Sequence, residues 1–214
     1  MGIAGERTED GRRLARQRLL DGAIQLFDQK GYAATTVREI VETAKVTKPV
    51  LYYYFRNKEG IYLELMGETF SKFEKLLISS REEKGSVKER LLRFCDRAFS
   101  LFLEDLKTVR IMYAIYYGPH QGAPFFDFEA YHVKFHDAVH RLVEEGIRRR
   151  EFRHESPEDM TWVIIGAINV AMEVELGHSE MKAMKLGREG LARVLNLIFQ
   201  GLAQGRKRSG GRKK

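Results

Sequence analysis

Several features that would place a chain in a membrane or in an oxidising compartment are absent or rare in this sequence. Cys95 is the single cysteine of 214 residues, so an intrachain disulfide is impossible and a reducing compartment is favoured. The longest apolar run, Trp162 to Ile168, is far shorter than the ~20 residues that cross a bilayer. The first residues have neither a signal-peptide pattern nor a myristoylation signal. We therefore expect a soluble, cytoplasmic globular protein.

Prolines are few, and no stretch shows the sustained alternation of apolar and polar residues that is typical of a β-strand. Both observations indicate an all-α fold. Four prolines leave room for long helices, and hydrophobic residues, at 43%, are enough for a sizeable core. Apolar residues recur at helical spacing instead. The pattern predicts a first helix ending near Gly31, short helices at 37–44 and after Thr47, and longer ones at about 58–80, 86–106, 108–117, 126–150, 157–176 and 182–203.

Positive charge is concentrated at the two ends of the chain. Of the net charge of +7, residues 1–60 carry +3 and residues 201–214 carry +6, which leaves −2 for the long middle part. Basic ends on a neutral body are typical of a protein that binds a polyanion. Solvated lysines and arginines kept for solubility explain the same numbers, so charge alone leaves both interpretations open.

The region from residue 20 to residue 57 has the layout of a helix-turn-helix. Thr36 precedes the first short helix, and Glu39 follows three residues later as in a capping box. Thr47 is the expected N-cap of the second short helix, with Pro49 in its first turn. Three consecutive tyrosines follow in that helix and cannot all point inward, because successive helical positions turn by about 100°. Exposed phenols beside a lysine suit contacts with DNA phosphates and thymine methyl groups.

These residues resemble a known family. The segments GYAATTVREI (31–40), VTKPVLYYYF (46–55) and NKE (57–59) are similar to the N-terminal domain of the TetR family of transcriptional regulators. The resemblance implies a homodimer that places one recognition helix per subunit in successive major grooves of operator DNA, and that releases the operator when a small effector binds. The family usually has glycine in the turn where this chain has Lys45.

The resemblance also implies a division of the chain and a set of DNA contacts. Residues 1–57 form the helix-turn-helix domain, with a flexible basic arm to about residue 14. Residues 58–204 form the effector-binding and dimerisation domain, and residues 205–214 form a disordered basic tail. The expected DNA-binding residues are Thr36, Thr47, Lys48, Val50, Tyr52, Tyr53, Tyr54 and Lys58. Among these, Lys48, Val50 and Tyr53 are expected at bases or groove edges and the others at phosphates.

In the C-terminal half, the sequence indicates an effector site and a dimer interface, with patterns less specific than those of the helix-turn-helix. Its aromatic residues are typical of a core, but the resemblance favours a pocket for an apolar or aromatic ligand. The helix at 157–176 is apolar on nearly all sides and is predicted to pair, with the last helix, against the same helices of a second copy. The candidate effector-binding residues are Phe99, Phe102, Tyr113, Tyr117, Phe128, His132, His136, Trp162, Asn169 and Glu173.

Histidines recur every four residues at positions 132, 136 and 140, and three interpretations stay open. They form a polar border of the core, they contribute a hydrogen-bonding group to the effector pocket, or Glu129, His132 and His136 bind a metal. We expect no metal or other cofactor and no enzymatic activity. The predicted function is a ligand-responsive DNA-binding repressor. The alternatives are a metal-responsive regulator and, because Glu129 and His132 form a Glu-x-x-His motif, a helical-bundle metalloenzyme.

Overall fold

The computed structural model describes residues 3–177 and 183–202, with side chains from residue 11 onward, and these residues form nine helices and no strand. The predicted all-α class is confirmed. The predicted basic tail, 205–214, lies outside the described residues. The helices are α1 (Ile3–Ala34), α2 (Val37–Ala44), α3 (Lys48–Phe55), α4 (Lys58–Arg81), α5 (Val87–Glu104), α6 (Leu106–Tyr116), α7 (Glu129–Arg148), α8 (Pro157–Leu176) and α9 (Gly187–Leu202).

Helix α1 differs from its predicted start. It begins at Ile3, so the segment that was expected to be a flexible arm to about residue 14 is helical from residue 3. Residues 3–30 contain no proline that would end a helix before Gly31. At Gly31 the backbone turns to φ 84° and ψ 166°, a conformation that L side chains rarely adopt, and this kink lies where the sequence predicted the helix to end.

Two longer helices begin with side-chain caps that the sequence specifies. At α8, the Ser156 hydroxyl accepts a hydrogen bond from the Asp159 amide at 3.3 Å, and Pro157 occupies the first turn, where no amide hydrogen is needed. At α5, the Glu89 amide donates to Ser86 Oγ at 3.3 Å, and the Ser86 amide donates to Glu89 Oε2 at 3.0 Å. A carboxylate at this end also complements the helix dipole.

The first of two compact units contains the helix-turn-helix together with α6. It is formed by the residues up to Lys72 and by Glu104–Phe128. Arg110 of α6 pairs with Asp28 of α1 at 3.1 Å, and Gln121 Oε1 accepts a hydrogen bond from the Tyr32 amide at 3.1 Å. The buried core of this unit contains Leu19, Leu20, Ala23, Phe27, Tyr32, Ile40, Val41, Ala44, Leu51, Phe55, Ile61, Tyr62, Leu65, Met66, Ile111 and Phe128.

The second compact unit is formed by Phe73–Leu103 and by the described residues from Glu129 onward. Helix α8 packs against both α7 and α9. Phe94 stacks on Phe135 with ring centroids 5.4 Å apart, and Phe152 stacks on Phe199 at 5.9 Å. No helix in the described part of the chain is long and apolar enough to span a membrane. These packing units do not end at residue 57, and the predicted division by function stays a prediction.

Candidate nucleic-acid interface

The entry to α2 is fixed by a complete capping box. The Glu39 amide donates to Thr36 Oγ1 at 3.3 Å, and the Thr36 amide donates to Glu39 Oε2 at 2.9 Å. Lys30 of α1 adds an ion pair to Glu39 at 2.5 Å. The hydrogen bond from Lys30, with those from Thr36, lowers the pKa of Glu39 from 4.5 to about 2. The capping box that the sequence predicted is therefore present and is charged at neutral pH.

The turn between α2 and α3 is made without glycine. Lys45 adopts the left-handed conformation, with φ 53° and ψ 45°, and its amide donates to the Glu42 carbonyl at 3.2 Å. The Val46 amide donates to the Val41 carbonyl at 3.0 Å, so two of the four carbonyls left open at the end of α2 are used. The backbone geometry that glycine usually supplies is thus held here by a lysine whose side chain is exposed.

Helix α3 presents one face to the core and the opposite face to solvent. Leu51 and Phe55 are buried, whereas Tyr52 and Tyr53 are 50% and 73% exposed. Lys48 is exposed as well. Val50 and Tyr54 lie at the boundary and pack against the core while partly buried. The helix therefore offers a basic and phenolic surface, and its position is fixed from behind by two buried side chains.

Besides Thr36, whose hydroxyl takes part in the capping box, two predicted phosphate-binding side chains make hydrogen bonds within the first unit. The Tyr54 hydroxyl donates to the Arg12 carbonyl at 2.9 Å. Lys58 Nζ donates to the Tyr32 and Thr35 carbonyls, both at 2.8 Å, and lies 4.1 Å from the centroid of the Tyr32 ring. Burial lowers the pKa of Lys58. A third ammonium hydrogen remains on Lys58, and its contact with phosphate stays a prediction.

The two remaining predicted residues are at helix starts. Thr36 and Thr47 are exposed and hold the N-cap positions of α2 and α3. Thr47 makes no side-chain capping hydrogen bond, so its hydroxyl is not committed to the helix end. Backbone amides at a helix start, together with such a hydroxyl, suit a phosphate oxygen.

The start of α4 adds a residue that the sequence prediction did not include. Arg56 follows α3 with φ 63° and an exposed side chain. Its neighbour Asn57 accepts a hydrogen bond from the Gly60 amide at 2.8 Å and so caps α4. The position of Arg56, directly after the three tyrosines, could have marked it as a candidate DNA-binding residue. Nothing in the sequence predicts its left-handed backbone.

Not every cation near this surface is free to meet a phosphate. Arg38 pairs with Glu42 at 2.7 Å, and Arg16 pairs with Glu64 and with Glu68. Three other cations form no ion pair with any residue that the structure describes, and all three have exposed side chains around α3: Lys45, Lys48 and Arg56. The exposed helix and its two flanking turns thus present three cations that have no ion-pair partner among the described residues.

The structure distributes the predicted effector-binding residues between the two units. Tyr113, Tyr117 and Phe128 lie in the first unit, and the others lie in the second. Phe99 and Phe102 are buried and stack on each other at 5.8 Å. A groove of about 230 Å³ beside α5 and α9 contains none of the predicted residues, and its lining comprises Leu92, Arg93, Asp96, Arg188, Leu191, Ala192, Leu195 and Asn196.

The outer face of α8 is exposed rather than enclosed. Trp162, Val163 and Val170 are 56%, 50% and 58% exposed. Asn169 and Glu173, two predicted effector residues, are exposed on this helix as well. On α9, the matching outward side chain is Leu197, which is 67% exposed. A helix apolar on nearly all sides therefore leaves an apolar face uncovered within one copy of the chain.

The alternative metal set of Glu129, His132 and His136 is not brought together. Within the residues that the structure describes, the group of histidine, cysteine and acidic side chains close enough to share an ion consists of His136, His140 and Glu158. Glu129 and His132 lie earlier on α7, and His132 is exposed. In this group both histidines belong to α7, whereas Glu158 belongs to α8.

The fold and this surface define a helix-turn-helix of the kind found in DNA-binding proteins, in which α3 is the second of the two short helices. Residues 19–65 match the sequence model of the bacterial regulatory proteins of the tetR family. Residues 19–65 are thus similar to the N-terminal domain of the TetR family, as the motifs suggested. That family consists of transcriptional regulators, which are not enzymes, and the match gives no support to the metalloenzyme alternative.

Individual relatives agree with this assignment. The chain is 31% identical over 87 residues to the fatty acid metabolism regulator protein of Bacillus subtilis, covering 41% of this chain and 45% of that protein. It is 33% identical over 72 residues to IcaR of Staphylococcus epidermidis, the negative transcriptional regulator of the biofilm operon icaADBC, covering 34% and 39%. The chain thus aligns with less than half of each relative's length.

The similarity in fold extends beyond the aligned segment. The structure of the SmeT–triclosan complex matches with a TM-score of 0.66 at 16% identity, over 89% of this chain and 93% of that one. At this level of identity the likeness establishes the all-α fold and carries no function by itself. The arrangement of helices beyond residue 65 is therefore also found in that protein.

Proposed function

We propose that this protein is a homodimeric, ligand-responsive repressor that binds a palindromic operator and leaves it when a small apolar or aromatic effector binds. The observation that carries the DNA-binding part is the surface of α3. Lys48, Tyr52 and Tyr53 are exposed on a helix that Leu51 and Phe55 anchor from behind. A short helix held in this way fits a major groove, which is wide enough to admit it.

The exposed residues fall into two proposed roles. Lys48, Val50 and Tyr53 are assigned to base edges, where a lysine can contact guanine and apolar groups can contact thymine methyls. Thr36, Thr47 and Tyr52 are assigned to phosphates. Tyr54 and Lys58 are assigned to phosphates as well, because each can form a further hydrogen bond in addition to those it makes within the protein. Phosphate contacts fix the register of the helix, and base contacts give the sequence preference.

The proposed division of labour follows the prediction from the sequence. Residues 1–57 read DNA, and residues 58–204 bind the effector and dimerise. The exposed apolar face of α8 and α9 supports dimerisation through these two helices, because a twofold axis would bury Trp162, Val163, Val170 and Leu197 of both copies. Bacterial DNA is in the cytoplasm, which is therefore the proposed site of action.

Repression and the effector class rest on similarity to relatives. IcaR is named a negative transcriptional regulator, which supports repression. SmeT is described in complex with triclosan, and the Bacillus relative is named a regulator of fatty acid metabolism. An aromatic compound and an aliphatic chain are both apolar, in keeping with the aromatic content of the second unit. The metal-responsive alternative with Glu129, His132 and His136 is not favoured.

The α3 assignment is tested by replacing its two most informative side chains together. An operator is first selected from random DNA with the full-length protein. Lys48→Ala with Tyr53→Ala is expected to lower specific affinity by about a hundredfold, because each good base contact contributes ~1–3 kcal/mol. Loss of the lysine should also reduce the slope of log affinity against log salt. Binding is measured by fluorescence anisotropy over a range of salt concentrations.

A matched double variant controls for loss of surface lysine and tyrosine in general. Lys107→Ala with Tyr117→Ala removes an exposed lysine and an exposed tyrosine of the same unit, outside the helix-turn-helix. Specific affinity should be unchanged in this control. If the α3 double variant kept its specific affinity while remaining folded and dimeric, α3 would not be the helix that reads the operator.

A further inference from the structure

His136 and His140 lie one turn apart on α7 and face the same carboxylate on α8. His136 Nε2 is 3.1 Å from Glu158 Oε1, and His140 Nδ1 is 3.5 Å from Glu158 Oε2. The two imidazole rings are nearly parallel, with centroids 5.6 Å apart. One ligand atom from each of the three residues lies within 4.8 Å of the other two. Two nitrogens and a carboxylate thus converge on one point between two helices.

The spacing of these atoms matches the coordination shell of zinc. Zinc binds histidine nitrogen and carboxylate oxygen at about 2.0–2.2 Å in tetrahedral geometry, which places neighbouring ligand atoms about 3.4 Å apart. The two nitrogen–oxygen distances, 3.1 and 3.5 Å, lie on either side of that value, although they join the histidines to different oxygens of Glu158. Binding of one ion therefore requires the three side chains to adjust so that one ligand atom of each faces it.

The nitrogens that face away from this point lie near carboxylates, slightly beyond hydrogen-bond distance. His136 Nδ1 lies 3.6 Å from Asp137 Oδ1, and His140 Nε2 lies 3.6 Å from Glu144 Oε1. Histidines that bind a metal usually donate their other ring hydrogen to a carboxylate or carbonyl, which orients the ring and strengthens the ligand. Each histidine here has one nitrogen toward the shared carboxylate and the other toward a second acid.

Neighbouring side chains hold the group in place. The Trp162 indole Nε1 donates to Glu158 Oε1 at 2.6 Å, and its ring lies 5.3 Å from the His136 ring. The Thr161 hydroxyl donates to the Pro157 carbonyl at 2.8 Å, so its oxygen accepts from His140 Nδ1 at 3.2 Å; zinc binding at Nδ1 would replace that hydrogen. The histidine side chains are only 25% and 28% exposed, so their rings are restrained before any ion binds.

We propose that His136, His140 and Glu158 form a binding site for Zn²⁺ or a similar divalent transition metal that joins α7 to α8. Three protein ligands leave the fourth tetrahedral position to water. The site differs in composition from the histidine and glutamate set that the sequence suggested, and it does not depend on the proposed repressor function. Because Trp162 is the only tryptophan of the chain, the site carries its own fluorescent reporter.

The test is a metal titration of the full-length protein prepared without a histidine affinity tag. Calorimetry with ZnCl₂ is expected to give one ion per chain, and Co²⁺ is expected to give the visible absorption of a tetrahedral complex and to quench Trp162. His136→Ala and His140→Ala should each weaken zinc binding by more than tenfold. Glu158→Gln keeps an acceptor for Trp162 but removes the charge, and it should weaken binding as well.

His132→Ala is the matched control, because it removes an exposed histidine from the same helix and should leave zinc affinity unchanged. Circular dichroism of each variant shows whether it is folded, and zinc should raise the melting temperature of the wild type but not of folded ligand variants. The proposal is overturned if the wild type binds no stoichiometric zinc. It is equally overturned if a folded His136→Ala, His140→Ala double variant binds zinc as well as the wild type.

Discussion

At the scale of single residues, Lys45 in the turn of the helix-turn-helix has a backbone conformation that is unfavourable for a residue with a side chain. Lys45 is left-handed, a conformation that costs an L-amino acid ~1–2 kcal/mol and costs glycine little. Lys45→Gly is therefore expected to raise the free energy of unfolding by roughly 1 kcal/mol, after allowance for the greater freedom of glycine in the unfolded chain. Urea denaturation followed by circular dichroism measures the change.

Two further variants separate the backbone effect from loss of the lysine charge. Lys45→Ala removes the charge but keeps the Cβ, so its stability should stay near that of the wild type. Lys48→Gly places glycine in the first turn of α3, where the backbone is helical, and it should be destabilising. A Lys45→Gly protein no more stable than Lys45→Ala would show that the turn is not strained.

At the scale of secondary-structure elements, the junction of α3 and α4 depends on the absence of one side chain. A Cβ on Gly60 would lie 2.0 Å from the Phe55 carbonyl oxygen, which belongs to the backbone and cannot move aside cheaply. Gly60→Ala is expected to lower the free energy of unfolding by about 1–3 kcal/mol or more, as overpacking does. It should also weaken operator binding by displacing α3, and both effects are measured on the purified variant.

The same helix provides the control for that substitution. A Cβ on Gly67 of α4 meets no atom within 4 Å. Gly67→Ala should therefore gain up to about 1 kcal/mol from the higher helix propensity of alanine. If Gly60→Ala and Gly67→Ala changed stability in the same direction, the close approach of α4 to the end of α3 would have no energetic importance.

Sequence signals that span only a few residues predicted the helices. Contacts between residues far apart in the sequence could not be predicted in this way. The capping box of Thr36 and Glu39 located α2, because the signal and its effect are three residues apart. The pairing of α6 with α1 depends on Arg110 and Asp28, which are far apart in sequence, and no periodicity encodes it. For the same reason, the histidine spacing indicated α7 but gave no sign of Glu158, which only the packing of α8 supplies.

At the scale of the whole molecule, the proposed dimer explains why α8, the most apolar of the long helices that the structure describes, leaves an apolar face exposed. In a twofold interface the same patch serves both copies, so one substitution acts twice. Leu197 of α9 is 67% exposed in one copy and would be buried between two copies. Trp162 lies on the same proposed face and also contacts the His136 ring, so the metal site borders the surface where the partner is expected.

Leu197→Glu is expected to convert the dimer of two 24.8 kDa chains into monomer. An unpaired buried charge costs ~3–5 kcal/mol, which weakens association by at least about a hundredfold, and sedimentation at several concentrations measures it. Val133→Glu on α7 is the control, because Val133 is 58% exposed but lies outside the proposed face, and that variant should remain dimeric. A dimeric Leu197→Glu protein would place the interface elsewhere. A monomeric variant that also loses operator affinity while its helix content is unchanged would show that two copies of α3 are needed to bind the two half-sites.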